Sequence, residues 1–233
     1  MDHRSIVSAG GLCFVIGALA FVSVFSYLAA NFDYPGILDG SAAEVLPRLR
    51  AGGSTMRAIW AIYAFLPLLL VPGAVGAYFA CPSSRGRMTL ALVAASLGAL
   101  AMCLGLMRWP SIHWHLAKHY ATADAGQRST LDAVFDGLNS YLGNYVGEFL
   151  GELSFSVFFL LSGWALLRSR IVPRWVAVVG LLTAVAGLVG MFRNLTPIVA
   201  GVAAVNNYLL PVWMIGLGIV LLRLRPRSSS AGR

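Results

Sequence analysis

The sequence predicts an all-α membrane protein: six transmembrane helices in a bundle, with two long loops on the outer side. Three observations carry this. Of 233 residues, 58% are hydrophobic and only 11% charged, against about half and a quarter in soluble domains. The apolar residues are gathered into six stretches near the length of about 20 residues that a helix needs to cross a bilayer. The basic residues flank those stretches instead of forming a patch. A mean hydropathy of +0.77 excludes a disordered chain and an ordinary soluble enzyme, and leaves too little polar mass for a separate soluble domain. The whole chain, 1–233, is therefore expected to be one integral membrane domain.

The six spans are read in order at about 6–30, 56–80, 89–107, 145–167, 175–192 and 207–222. The first is too long for the apolar stretch of a signal peptide, which is about 7–15 residues, and is read as an uncleaved helix. The second holds Pro67 and Pro72 and has Arg57 at its outer edge. The sixth holds Pro211 and opens on Asn206 and Asn207, which fit helix capping. Prolines inside spans predict kinks that bundle neighbours tolerate.

Orientation follows from charge. With the N-terminus inside, the inner segments hold Arg4, Arg85, Arg87, Arg168, Arg170, Arg174, Arg223, Arg225, Arg227 and Arg233 against one acid, Asp2. The positive-inside rule then puts both termini in the cytoplasm. The cations are 16 Arg and one Lys, a composition that suggests a GC-rich bacterial genome and hence the bacterial cytoplasmic (inner) membrane. The pI of about 9.9 is explained by topology, and nucleic acid is not an expected partner. Cys13, Cys81 and Cys103 are odd in number and lie in or beside spans, so no disulfide framework is read from them.

The long outer loops are 31–55 and 108–144. Leu131, Val134, Phe135, Leu138 and Leu142 follow helical spacing, so a short amphipathic helix either lies on the membrane there or leads straight into the fourth span. Pro47 weakens a second candidate around 42–50, and Pro110 disfavours helix just before the "HWHLAKH" run. No internal repeat is evident.

The fourth span carries the chemistry: "NSYLGNYVGEFLGELSFSVFFLLSGWALL". Gly143, Gly147 and Gly151 recur every fourth residue and form a stripe that a neighbouring helix can approach closely, in this chain, a second copy or another partner. Glu148 and Glu152 lie on the adjoining face. Glu148 is expected at the hydrocarbon edge and Glu152 about 6 Å deeper. Carboxylates there face a bundle interior or a water-filled cavity. They fit a proton relay, a cation site or a general base; the structural alternative is ion pairing with Arg108, Arg193 or Arg57. Asn144 and Asp33, beside the helix exit at Tyr34-Pro35, complete the polar candidates. His115 and His119 have the i, i+4 spacing of a metal pair, with Asp124 near. HExxH is absent, and His113 shares the same loop, so interfacial histidines beside Trp109 and Trp114 are the alternative. No nucleophile elbow, Walker motif or dinucleotide motif is present, and no cofactor follows from the sequence.

The segments "FDYPGILDGSAAEVLPRL" after the first span, "RWP" after the third, "GEFLGE" in the fourth and "LLRSRIVPRW" into the fifth resemble, in order, a family of bacterial integral membrane proteins, domain of unknown function 4386. The resemblance implies a small multi-helix membrane protein and brings no activity or catalytic residue. Three functions stay open. One is a small-molecule or ion binding and transport protein with a polar site near the outer leaflet. Another is a membrane enzyme with a His/Glu site under the loops. The third is a structural or regulatory partner docking through the glycine stripe.

Overall fold

The computed structural model describes residues 2–224. In chain order the helices are α1 (His3–Phe32), α2 (Ala42–Ala51), α3 (Gly53–Ala80), α4 (Pro82–Tyr120), α5 (Ala125–Ser169), α6 (Arg174–Asn194) and α7 (Pro197–Arg223). All except α2 are long and apolar enough to cross a membrane. The chain is thus a multi-pass, all-α membrane protein, with no strand among the described residues.

Each span packs on the next in sequence, and α7 closes on α1. The result is a ring of six helices. Small residues let the neighbours touch: a Cβ at Gly10 of α1 would stand 2.6 Å from the Gly76 Cα of α3. Leu90, Val93, Leu97, Leu100 and Leu104 make an outward stripe on α4, 50–61% exposed. Their spacing is that of one helix face, and such an apolar face suits lipid. His3, the α3–α4 and α5–α6 connections and Leu224 gather at one end, the terminal end; His3 Nε2 meets the Phe79 carbonyl at 3.0 Å. Of the cations assigned to that end, Arg225, Arg227 and Arg233 lie outside the described residues.

Two spans run much further than their apolar windows. α4 continues through Pro110 because the turn there widens: the His113 N–H donates to the Arg108 carbonyl, five residues back, at 2.8 Å. A widened turn absorbs a proline that cannot donate in the ordinary ladder. The run 131–142 belongs to α5, which leads without a break into the fourth span. Asp124 starts that helix with a capping box, Oδ1 accepting from Gln127 N–H at 2.9 Å and Gln127 Oε1 accepting from Asp124 N–H at 3.1 Å. α5 itself is wide-turned over Asn139–Leu150. The two long loops at the other end, the loop end, are therefore largely helical. α2 forms despite Pro47, since Val45, Leu46 and Leu49 are buried.

The core has two parts. Phe14, Phe155, Phe158, Phe159 and Trp213 fill the ring toward the terminal end, with Trp213 4.9 Å from Phe159 and 5.6 Å from Phe14 between ring centres. Phe32, Trp60, Trp109 and Phe135 build a second cluster at the loop end, where Trp60 and Trp109 stack at 4.6 Å.

Candidate functional site

Between these two clusters the ring holds a cavity of about 120 Å³. One water needs roughly 10–15 Å³ by this measure, so the space suits several waters or a small molecule. Every span contributes: Gly17 and Phe21 from α1, Tyr63 and Pro67 from α3, Leu106 from α4, Glu148 and Glu152 from α5, Gly190 and Arg193 from α6, Asn207 from α7. Tyr34 and Leu38, from the connection after α1, line it as well. Local backbone makes the room. α3 tightens to a 3-10 turn at Leu66–Leu69 around Pro67, and Gly17 and Gly190 present no side chain.

Glu148 is tied down. α6 ends in a tight turn, Met191–Asn194, that aims two side chains at α5. Arg193 grips the carboxylate with both arms: Nε donates to Oε2 at 2.9 Å, and an Nη2 donor meets Oε1. Asn194 Nδ2 donates to the same Oε2 at 2.6 Å. Bidentate, charge-assisted contacts of this kind are the strong ones. Asn144 takes part only through its backbone carbonyl, 3.5 Å from Asn194 Nδ2.

Glu152 is not. Its one hydrogen-bond partner is a neutral amide, Asn206 Nδ2, at 3.3 Å, and among the described residues no cation stands within ion-pair distance. Asn206 is 4% exposed, and its Oδ1 is buried without a partner. The reading of Asn206 as a cap of the sixth span is therefore corrected: the helix begins at Pro197, and Asn206 points into the bundle from within it. Behind the pair, Ser156 is fully enclosed.

Arg108 does not face the glutamates. It is 3% exposed and lies across Gly143, where an added Cβ would meet its guanidinium. Its Nη1 donates to the Gly105 carbonyl at 2.6 Å and its Nε to Asn139 Oδ1 at 3.1 Å. Asn139 Nδ2 in turn donates to the Leu38 carbonyl at 3.1 Å, holding the connection that carries Tyr34. Among the described residues Arg108 makes no ion pair. Arg57 donates to the Pro110 carbonyl at 2.9 Å, also away from the acids.

Other candidates fall outside the cavity. Asp33 caps α1 in the left-handed region (φ 57°) and stands exposed, with Arg48 at 3.7 Å. Its neighbour Tyr34 is the residue that turns inward, and burial pushes that phenol above its ordinary range, so it stays an O–H donor. His115 and His119 are exposed on α4. Among the described residues no group of three or more His, Cys, Asp or Glu is placed to hold a metal ion, and Asp124 is spent on its capping box. His113 is the enclosed histidine, with Phe135 at 4.6 Å and Trp109 at 4.9 Å between ring centres. The glycine stripe docks within the chain: Gly147 sits on Gly105 and Gly151 on Met102, both of α4. That face is thus covered by α4.

Asn139 and Asn194 emerge only from the fold, as do the inward turn of Tyr34 and the buried placement of Asn206. The signal was present for the last: an amide inside an apolar stretch must find a partner, because an unsatisfied polar group is costly away from water.

No curated protein and no solved structure matches the chain. The model of a domain of unknown function (DUF4386) matches residues 9–222, nearly the full length and all six spans, and the chain therefore belongs to the DUF4386 family of multi-pass membrane proteins.

Proposed function

We propose that this single membrane domain binds, and carries across the bilayer, a small cargo that brings a positive charge to the cavity. One observation carries the reading: Glu152 lines the cavity with no cation within ion-pair distance among the described residues, while Glu148 one turn away is gripped by Arg193. A carboxylate in low dielectric requires a compensating charge, and Arg193, gripped by Glu148, does not supply it. The charge then arrives with the occupant as a proton, a metal cation or a cationic group. The aromatic cluster around Trp213 closes the cavity toward the terminal end, and the Tyr34–Leu38 segment roofs it. Entry from the loop end requires that segment to move aside. By the charge rule the terminal end faces the cytoplasm of a bacterial inner membrane, which puts that entry on the outer side.

The test uses purified protein in lipid nanodiscs and a matched pair of probes, octylamine and octanol. Octylamine raises the unfolding temperature and octanol does not, and Glu152→Gln removes the difference without changing the elution volume. In proteoliposomes the same variant loses cation-driven flux. Equal response of wild type and Glu152→Gln to the amine would overturn the assignment.

A further inference from the structure

We infer that Glu152, Asn206 and Ser156 form a binding site for one alkali metal cation, probed as Na+, in the α5–α6–α7 interface beside the cavity. The inference rests on the reading that Glu152 receives a positive charge, and it names that charge. Three side chains converge on one point over Gly187 of α6. A Cβ built there would stand 3.1 Å from Glu152 Oε2 and 3.3 Å from Asn206 Nδ2, and would overlap Ser156 Oγ. Glycine at 187 is what leaves room for the Ser156 hydroxyl beside the other two groups.

Asn206 is left wanting in the protein alone. Asn206 Oδ1 is buried without a partner. Its Nδ2 reaches Glu152 at 3.3 Å, beyond the 2.7–2.9 Å usual for a donor to a carboxylate. Half a turn of the amide exchanges N for O at that position. Against a bare carboxylate Oδ1 is repelled, whereas across a cation it is a ligand. Ser162 on the same helix donates to the carbonyl one turn back, while the enclosed Ser156 makes no such bond.

The donor set is carboxylate, amide and hydroxyl oxygen, which selects a hard cation over a transition metal. One unpaired negative charge balances a single positive one. Ca2+ calls for about six to eight oxygen ligands, and Mg2+ for a near-octahedral set at which it keeps its waters. An enclosed cluster with one carboxylate offers neither. Glu152 belongs to this site and to the cavity wall at once, so an ion there and an amine in the cavity compete for one carboxylate.

The experiment is thermal unfolding in nanodiscs in NaCl, KCl or choline chloride at equal ionic strength, with 22Na+ binding to wild type as a second, variant-free readout. Na+ raises the midpoint in a saturable way, and choline does not. Ser156→Ala, and Gly187→Ala, which fills the point of convergence, raise the half-saturating Na+ concentration by about ten- to hundredfold, the effect of one lost contact to a charged group. Equal midpoints in Na+ and choline with no saturable 22Na+ binding would overturn the cation site. If octylamine still stabilises the protein in that case, the cavity reading stands; if neither acts, both fall. An Na+ effect unchanged in Ser156→Ala and Gly187→Ala alike would also overturn the assignment.

Discussion

Removing Arg193 should cost more than removing Glu148, although they are partners in one ion pair. Both side chains are mostly enclosed, 27% and 19% exposed, and breaking a buried pair from one side costs about 3–5 kcal/mol, because the remaining charge is left uncompensated. The two sides are not equivalent here. In Glu148→Gln the guanidinium loses its clamp, yet Glu152 stands one turn deeper on the same face and becomes its new counter-charge. In Arg193→Met, Glu148 keeps only Asn194, and two carboxylates face each other without a cation. We expect about 3–5 kcal/mol for Arg193→Met, about half of that for Glu148→Gln, and a double variant near the milder single one. The coupling is then as large as the Arg193→Met cost itself, about 3–5 kcal/mol, at or above the upper end of about 3 kcal/mol for groups in one network. The assay is SDS-titrated unfolding in mixed micelles, followed by the fluorescence of the six tryptophans. Additive costs within about 0.5 kcal/mol would refute the argument, and so would a Glu148→Gln variant weaker than Arg193→Met.

Gly147→Leu should abolish the folded monomer by size-exclusion chromatography, because the residue faces the Gly105 backbone, whereas Gly137→Leu, with nothing within 4 Å of an added Cβ, should elute as wild type. Asn139→Ala deprives Arg108 of an acceptor and Leu38 of a donor together. It should cost about 1.5–3 kcal/mol and speed amide exchange over 36–40; unchanged exchange there would show that the bridge does not hold the roof. Single cysteines at Arg48 and Arg128 should react with an impermeant maleimide on intact cells, in a background with the native cysteines replaced, and cysteines at Arg85 and Arg170 should not. The reverse pattern would invert the orientation.

The number of spans was legible because lipid imposes it: about 20 apolar residues per crossing stand out without knowledge of any contact. The glutamates were legible for the same reason, being expensive in such a stretch. The lengths of α4 and α5 were not. Pro110 reads as a break by local rules, and only the i to i+5 bond at His113 shows how the helix passes it. Asp33 drew notice as a charge, but its side chain follows the left-handed cap outward while Tyr34 turns in. A sequence does not reveal which of two neighbours faces the interior at a helix exit. The pairing of Glu148 with Arg193 and not Arg108 depends on the tight turn that ends α6. The glycine stripe was read correctly as an approach face, and its occupant, α4 of the same chain, needed the fold.

The site lies where it does because of the ring. Six helices joined in sequence order enclose an axis, and side chains must fill it. Toward the terminal end Phe14, Phe158, Phe159 and Trp213 do so; at the loop end the Trp60–Trp109 stack and α2 do so. Between them the sequence places Gly17, Gly190 and a proline turn at Pro67, none of which reaches the centre. A gap lined by apolar atoms alone would stay dry. This one receives a clamped carboxylate and an unclamped one, and the difference between them comes from residues on α6 and α7 that carry no charge signal beyond Arg193. Neutral amides, Asn194 on one glutamate and Asn206 on the other, differentiate two acids that are chemically identical. Replacing Asn206 by Leu should therefore leave the ring intact and change the charge state of the cavity, whereas replacing Asn194 should act on stability through Glu148.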